Sequence, residues 1–181
     1  MLRTQLTIVF SLLIATTSGW AVTPEKQPPT NIIETLITSL PGSWDGQAIE
    51  TPVGPVDYDI IFQQCSDSLV AGVADLRPSD HYWQFRNEPD KLELTFLSTF
   101  AGNREPVKLL VSRKTGSSID FYAPELPLLT VSISINEPII DIRVFHHHKP
   151  HVHIRLSRQA QSTLQAEQTS PLSACKKVYG E

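Results

Sequence analysis

The sequence predicts an all-β protein, an antiparallel up-and-down barrel of eight to ten strands preceded by a short helix. From Trp44 onward the chain divides into ten short stretches in which apolar and polar residues alternate. Residues that favour turns, chiefly Gly, Pro, Asn, Asp and Ser, separate these stretches. No helical pattern long enough for a parallel crossover lies between them, so we expect neighbouring strands to pair through hairpins.

Residues 1–21 have the pattern of a secretory signal peptide. Arg3 supplies the positive end, an apolar stretch runs from Leu6 to Ala15, and small residues lead to a cleavage position after Ala21. The apolar stretch is short for a membrane span, although a retained N-terminal anchor is the alternative. Prolines in residues 22–29 predict a flexible leader. We therefore expect a secreted or periplasmic protein with no transmembrane segment in the mature chain.

Removal of this signal leaves about 160 residues, a length that fits one domain. We expect a barrel over residues 30–158 and a C-terminal tail over residues 159–181. The whole chain has a formal net charge of −4, and loss of Arg3 with the signal changes it to −5. This mildly acidic balance gives no electrostatic basis for binding nucleic acid.

A short helix is expected before the first strand. Asn31 can cap it, with Glu34 three residues later, and Pro41 ends it. Apolar residues recur at the spacing of one helical face, at Ile33, Leu36, Ile37 and Leu40. Such a helix can cover one end of a barrel or pack on the outside of a sandwich.

The predicted strands are Ser43–Glu50, Asp57–Gln63, Leu69–Ala74, His81–Phe85, Leu92–Phe100, Pro106–Ser112, Ser118–Tyr122, Leu129–Ile135, Ile139–Phe145 and His151–Arg158. A barrel of this size is either filled by its side chains or holds one small ligand, and alternation leaves both possibilities open. If a cavity exists, we expect the inward-facing side chains to line it, namely Tyr58, Ile60, Phe62, Trp83, Phe85, Leu94, Phe96, Val131, Ile133 and Ile142.

The segment Gly42-Ser43-Trp44 resembles the Gly-x-Trp signature that opens the first strand of lipocalins and related calycin barrels. Gly46, two residues later, can permit a close approach where a barrel closes. The resemblance implies an exported protein that binds a small apolar or amphipathic molecule in its cavity. The alternative is an unrelated antiparallel sheet that begins with a core Trp.

A weaker resemblance is to the nitrobindin group of haem-binding barrels, which have a comparable Gly-x-Trp-x-Gly opening and a His at the start of the last strand. The haem ligand would fall on His151. Alternation argues against it: if Val152, Ile154 and Leu156 point inward, His151 faces solvent together with His153 and Arg155. We therefore do not expect haem.

Cys65 and Cys175 are the only cysteines. An even pair in an exported chain indicates a disulfide, here one that tethers the tail to an early strand. Free or metal-binding thiols are the alternative. Lipocalins often tether their tails in a similar way.

Five of the six histidines lie within residues 146–153. Neutral imidazoles suit zinc or copper, so the alternative function is a metal-binding barrel whose ligands are His146, His148, His151 and His153. Alternation places His151 and His153 on one strand face. A solvated polar loop is the competing interpretation.

Catalytic motifs are missing. The sequence contains no Gly-x-Ser-x-Gly elbow, no phosphate-binding Gly-rich loop and no His-Glu-x-x-His pair. These absences favour a binding protein over an enzyme, although calycin-like barrels include some enzymes.

Overall fold

The computed structural model describes residues 31–51, 54–77, 79–89 and 91–159, together with Cys175. The predicted signal peptide, the leader and most of the tail lie outside the described residues. Among the described residues, no helix is long and apolar enough to cross a membrane.

One helix precedes a run of antiparallel strands. The helix α1 spans Ile32–Ser39. The strands are β1 Gly42–Glu50, β2 Val56–Asp57, β3 Ile60–Ser66, β4 Leu69–Asp75, β5 Asp80–Glu88, β6 Lys91–Ser98, β7 Val107–Thr115, β8 Ser118–Ala123, β9 Leu126–Asn136, β10 Ile139–His146 and β11 Lys149–Arg158. A 3₁₀ helix, Phe100–Gly102, occupies the end of the predicted fifth strand.

The strands form a closed barrel. Each of β3 to β10 pairs with the next strand along the chain, and β11 returns to pair with β1, where Trp44 lies opposite Arg158 and Ala48 opposite Ile154. Both β2 and β3 pair with the same side of β1, so together they form one interrupted strand. Counted in this way, the barrel wall has ten strands. The predicted fold class is confirmed.

The interruption between β2 and β3 lies where Gly46 faces Tyr58. The Tyr58 amide donates to the Gly46 carbonyl at 2.8 Å, and the Asp59 carboxylate accepts from the Gly46 amide at 3.2 Å. A Cβ atom on residue 46 would lie 2.7 Å from the Tyr58 carbonyl oxygen and 2.9 Å from that of Arg155. Only glycine therefore fits this crossing of three strands, as the sequence predicted.

The helix α1 covers one end of the barrel. The Asn31 side chain caps it by accepting a hydrogen bond from the Ile33 amide. Its apolar face is buried in the barrel core, and the helix contacts both β5 and β8, which are separated by two strands of the barrel wall. The Trp44 indole donates to the carbonyl of Leu40 at 2.8 Å, which joins the helix end to β1. The alternative of a helix outside a sandwich is thereby excluded.

The cysteine pair links β3 to the tail. Cys65 and Cys175 form a disulfide with a Cα–Cα distance of 5.8 Å. The predicted disulfide between Cys65 and Cys175 is confirmed by this geometry.

Candidate functional site

The candidate site is a cavity of about 410 Å³ inside the barrel. It lies toward the end opposite α1, because its wall includes the last residues of β1 and the first residues of β11. The wall consists of Ala48, Thr51, Val56, Tyr58, Leu76, His81, Trp83, Phe96, Ser98, Leu109, Leu129, Val131, Val144, His151, Val152 and Ile154. Most of these side chains are apolar. Three of the polar ones lie at or just beyond a strand end, namely Thr51, Tyr58 and Ser98.

The predicted lining residues divide between this cavity and the packed half of the barrel. Four are in the cavity wall: Tyr58, Trp83, Phe96 and Val131. Six others are buried but lie outside the wall: Ile60, Phe62, Phe85, Leu94, Ile133 and Ile142. Phe62 illustrates the reason, because it pairs with Gly42 beside the helix and packs against the ring of Phe85 with centroids 6.1 Å apart. Alternation predicts that a side chain points inward, whereas its depth along the barrel depends on strand register.

Three aromatic side chains form a hydrogen-bonded chain in the cavity wall. The Trp83 indole donates to the Tyr58 hydroxyl at 2.8 Å, and that hydroxyl lies 3.0 Å from Nδ1 of His81. Burial raises the pKa of Tyr58 well above its ordinary value. Burial also lowers the pKa of His81 to about 4, a shift that the charge of Asp80 partly opposes. At neutral pH all three groups are uncharged, so the chain presents polar atoms to the cavity without a formal charge.

His81 is among the wall residues that were not expected to line the cavity, although it belongs to the aromatic segment His81–Phe85. It lies two residues from Trp83 on β5, and alternation alone places both on the inner face. Its ring contacts the Phe96 ring edge-on, with centroids 5.2 Å apart. By contrast, Tyr82 points away from the cavity and donates to the Asp80 carboxylate at 2.8 Å.

A bulge in the last hairpin separates the predicted metal ligands. Val144 pairs with Val152 while Phe145 pairs with Pro150, so His151 is an extra residue without a partner on β10. The bulge brings His151 into the cavity wall beside Val152. His151 nevertheless stays exposed, as expected, whereas His153 is buried, so the expectation that the two histidines share one face is wrong.

His153 belongs to an ion-pair network with Asp141 and Arg155. Its Nε2 lies 2.7 Å from the Asp141 carboxylate, which also accepts from Arg155 at 3.0 Å. Partial burial raises the pKa of Asp141, but the bonds from His153 and Arg155 outweigh it, so the pKa lies below its ordinary value. His153 is thus engaged away from the other histidines.

The remaining histidines lie at the hairpin tip. His147 and His148 form the turn with φ angles of 52° and 61°. The ring centroid of His146 is 4.4 Å from that of His147 and 6.3 Å from that of His151. In residues 31–51, 54–77, 79–89, 91–159 and 175, no three or more His, Cys, Asp or Glu side chains are grouped so that they could hold a metal ion.

The cavity is lined mostly by apolar side chains, and His151 lies in its wall. The expectation that haem is not bound stays a prediction.

Comparisons with known proteins do not identify a family for this chain. No protein-family model and no curated protein matches this chain. A solved structure of a redesigned β-barrel is 15% identical, with a TM-score of 0.37, and the match covers 68% of this chain and 95% of that one. A structure of EF1p2_mFAP2b bound to DFHBI is 12% identical, with a TM-score of 0.36 and coverage of 70% and 99%. The topology and cavity above therefore carry the functional argument.

Proposed function

We propose that this protein is an exported, lipocalin-like barrel that binds one small apolar or amphipathic molecule. The observation that carries the proposal is the cavity of about 410 Å³ beside the packed hydrophobic core of the barrel. Small-molecule sites measure about 300–1,000 Å³ and are mostly apolar with a few placed polar groups. This cavity has that size and that chemistry.

The cavity volume limits the size of the ligand. At interior packing density, about 410 Å³ accommodates on the order of ten to fifteen non-hydrogen atoms. Medium-chain acyl compounds and bicyclic molecules are within this range. Among the residues that the structure describes, the wall includes no acidic or Lys/Arg side chain, so we expect the body of the ligand to be uncharged where it contacts the wall.

Export is supported by two independent features. The signal-like pattern of residues 1–21 and the disulfide between Cys65 and Cys175 are both typical of proteins from an oxidising compartment. On this proposal, residues 22–29 form a leader, residues 30–158 the barrel and residues 159–181 the tethered tail. Mass measurement of the protein purified from its native compartment gives the mature N-terminus, which we expect to be Val22.

Titration of a small probe tests the binding function. We expect 1-tetralone or decanoic acid to bind with a calorimetric stoichiometry of one and to change the fluorescence of Trp83, which lies in the wall. Val144→Phe adds bulk to the wall and is expected to weaken binding at least tenfold. Thr130→Phe is the matched control, because Thr130 lies beside cavity-lining Val131 on the opposite face of β9. Absence of binding by either probe, or equal loss in the two variants, contradicts the proposal.

A further inference from the structure

The buried hydroxyl of Tyr58 determines which nitrogen of His81 carries the proton. The Trp83 indole nitrogen is a donor only, so the Tyr58 oxygen accepts at that contact. Tyr58 is 1% exposed, and its own proton needs an acceptor. The contact at 3.0 Å offers Nδ1 of His81 as that acceptor.

The opposite arrangement leaves a buried donor without a partner. If Nδ1 of His81 carried the proton, the Tyr58 oxygen would accept from both Trp83 and His81, and the hydroxyl proton would point at no acceptor. Leaving a buried donor unpaired costs about 1–3 kcal/mol. The network therefore assigns the lone pair to Nδ1 and the proton to Nε2.

The Nε2–H group is left available at the cavity wall. His81 lines the cavity and packs between the rings of Tyr58 and Phe96, with centroid distances of 5.6 Å and 5.2 Å. Within the part of the chain that the structure describes, the only hydrogen bond of the His81 side chain is the one that Nδ1 accepts from the Tyr58 hydroxyl. A half-buried donor in a mostly apolar wall pairs with solvent in the open cavity and with an acceptor when a bound molecule displaces that solvent.

We infer that the cavity selects ligands that carry a hydrogen-bond acceptor, such as a ketone, aldehyde, ester or ether oxygen, and that Nε2–H of His81 donates to it. The inference rests on the proposed function and deepens it by naming the chemical class of the ligand. In this arrangement His81 contacts the ligand, whereas Tyr58 and Trp83 are positioning residues that hold the tautomer and the ring. The rest of the ligand is apolar, to match neighbours such as Leu109, Val131 and Ile154.

A matched pair of probes tests this selectivity. 1-Tetralone and tetralin have the same bicyclic skeleton and differ by one carbonyl oxygen. Because a neutral hydrogen bond contributes about 0.5–1.5 kcal/mol net, we expect calorimetry to show about two- to tenfold tighter binding of 1-tetralone to the wild-type protein. His81→Leu is expected to abolish this preference while leaving tetralin affinity within about twofold, because Leu keeps an apolar wall.

A second measurement examines the tautomer directly in the wild-type protein. We expect ¹⁵N NMR of the histidine side chains to show His81 protonated at Nε2 and unprotonated at Nδ1, and 1-tetralone to shift the Nε2–H resonance more than tetralin does. Tyr58→Phe is expected to remove the tautomer preference of free His81.

The outcomes separate the two proposals. Equal affinity of both probes for the wild-type protein, or a proton on Nδ1, overturns the inference and leaves the binding function standing. Binding of neither probe, with neither inserting into the cavity, overturns both. A preference for 1-tetralone that persists in His81→Leu assigns the donor to another group and also overturns the inference.

Discussion

The guanidinium group of Arg158 lies over the indole ring of Trp44, 4.4 Å from the ring centroid. Arg158 also donates to the carbonyl oxygens of Pro41, at 3.0 Å, and Ser39. The last strand, the first strand and the end of the helix therefore meet at one side chain. The barrel is closed both by the β1–β11 ladder and by this contact at the helix-covered end.

We predict that Arg158→Ala lowers the free energy of unfolding by about 2 kcal/mol, because it removes a cation–π contact and two charge-assisted hydrogen bonds. Urea denaturation monitored by circular dichroism measures the change. Arg143→Ala, at an exposed position on the neighbouring strand, is the control and is expected to change stability by less than about 0.5 kcal/mol. Similar losses in the two variants would show that the contact with Trp44 contributes nothing specific.

Gly46→Ala is expected to destabilise the barrel more than Gly102→Ala. A Cβ at residue 46 meets two backbone oxygens within 3.0 Å, so strands must move apart. Residue 102 has a φ of +78° with open space around it, so its substitution costs only backbone strain of about 1 kcal/mol. Thermal unfolding gives the comparison. A larger loss at Gly102 would contradict the crossing described at Gly46.

Stability is expected to fall as pH decreases from about 6.5 toward 4. The pKa of His81 is lowered from 6.5 to about 4 in the folded protein, chiefly by burial, so the unfolded chain binds more protons in this window. The resulting loss in the free energy of unfolding is at most about 3 kcal/mol, and the partial exposure of the His81 side chain makes it smaller. His81→Gln should flatten the pH dependence across the window, and His151→Gln, at an exposed position, should not. Identical profiles for wild type and His81→Gln would refute the effect.

Reduction of the disulfide is expected to lower the free energy of unfolding by up to about 4.7 kcal/mol, the chain-entropy value for a loop on the order of 100 residues. The loop between Cys65 and Cys175 spans 110 residues. Cys65→Ser and Cys175→Ser should produce the same loss, since either removes the same link. Mass measurement under non-reducing conditions should give a mass two hydrogens below that of the dithiol. Two free thiols would contradict the pairing.

The histidines of the last hairpin are expected to bind Zn²⁺ no more tightly than a free peptide of residues 144–153. The bulge places His151 and His153 on different faces, and His153 is already paired with Asp141. Calorimetry near neutral pH compares the two, and binding by either should weaken below about pH 6 as imidazoles protonate. His153→Ala is expected to leave Zn²⁺ affinity unchanged. If the protein bound Zn²⁺ far more tightly than the peptide does, the result would support a metal site at the hairpin.

Local patterns in the sequence were sufficient to predict the helix and the strands of the barrel. The helical spacing from Ile33 to Leu40 and the repeated alternation from Trp44 onward reflect burial on one face, a constraint that each element imposes on its own residues. Gly46 was recognisable from its place two residues after Trp44, where glycine can permit a close backbone approach. The cysteine pair followed from count and compartment. None of these conclusions needed the position of one strand relative to another.

The tertiary structure alone decided which inward side chains form a cavity and which histidines lie near each other. Strand register sets depth along the barrel, so Trp83 lines the cavity while Phe85, two residues later on the same face, lies in the packed half. One extra residue in β11 puts His151 in the cavity wall, where it stays exposed, and separates it from the buried His153. The hydroxyl of Tyr58, which lies between β2 and β3, meets His81 of β5 across 23 residues of sequence because the pairing of β3, β4 and β5 brings the two side chains together. Register, bulges and closure depend on contacts between distant strands, and local alternation contains no information about them.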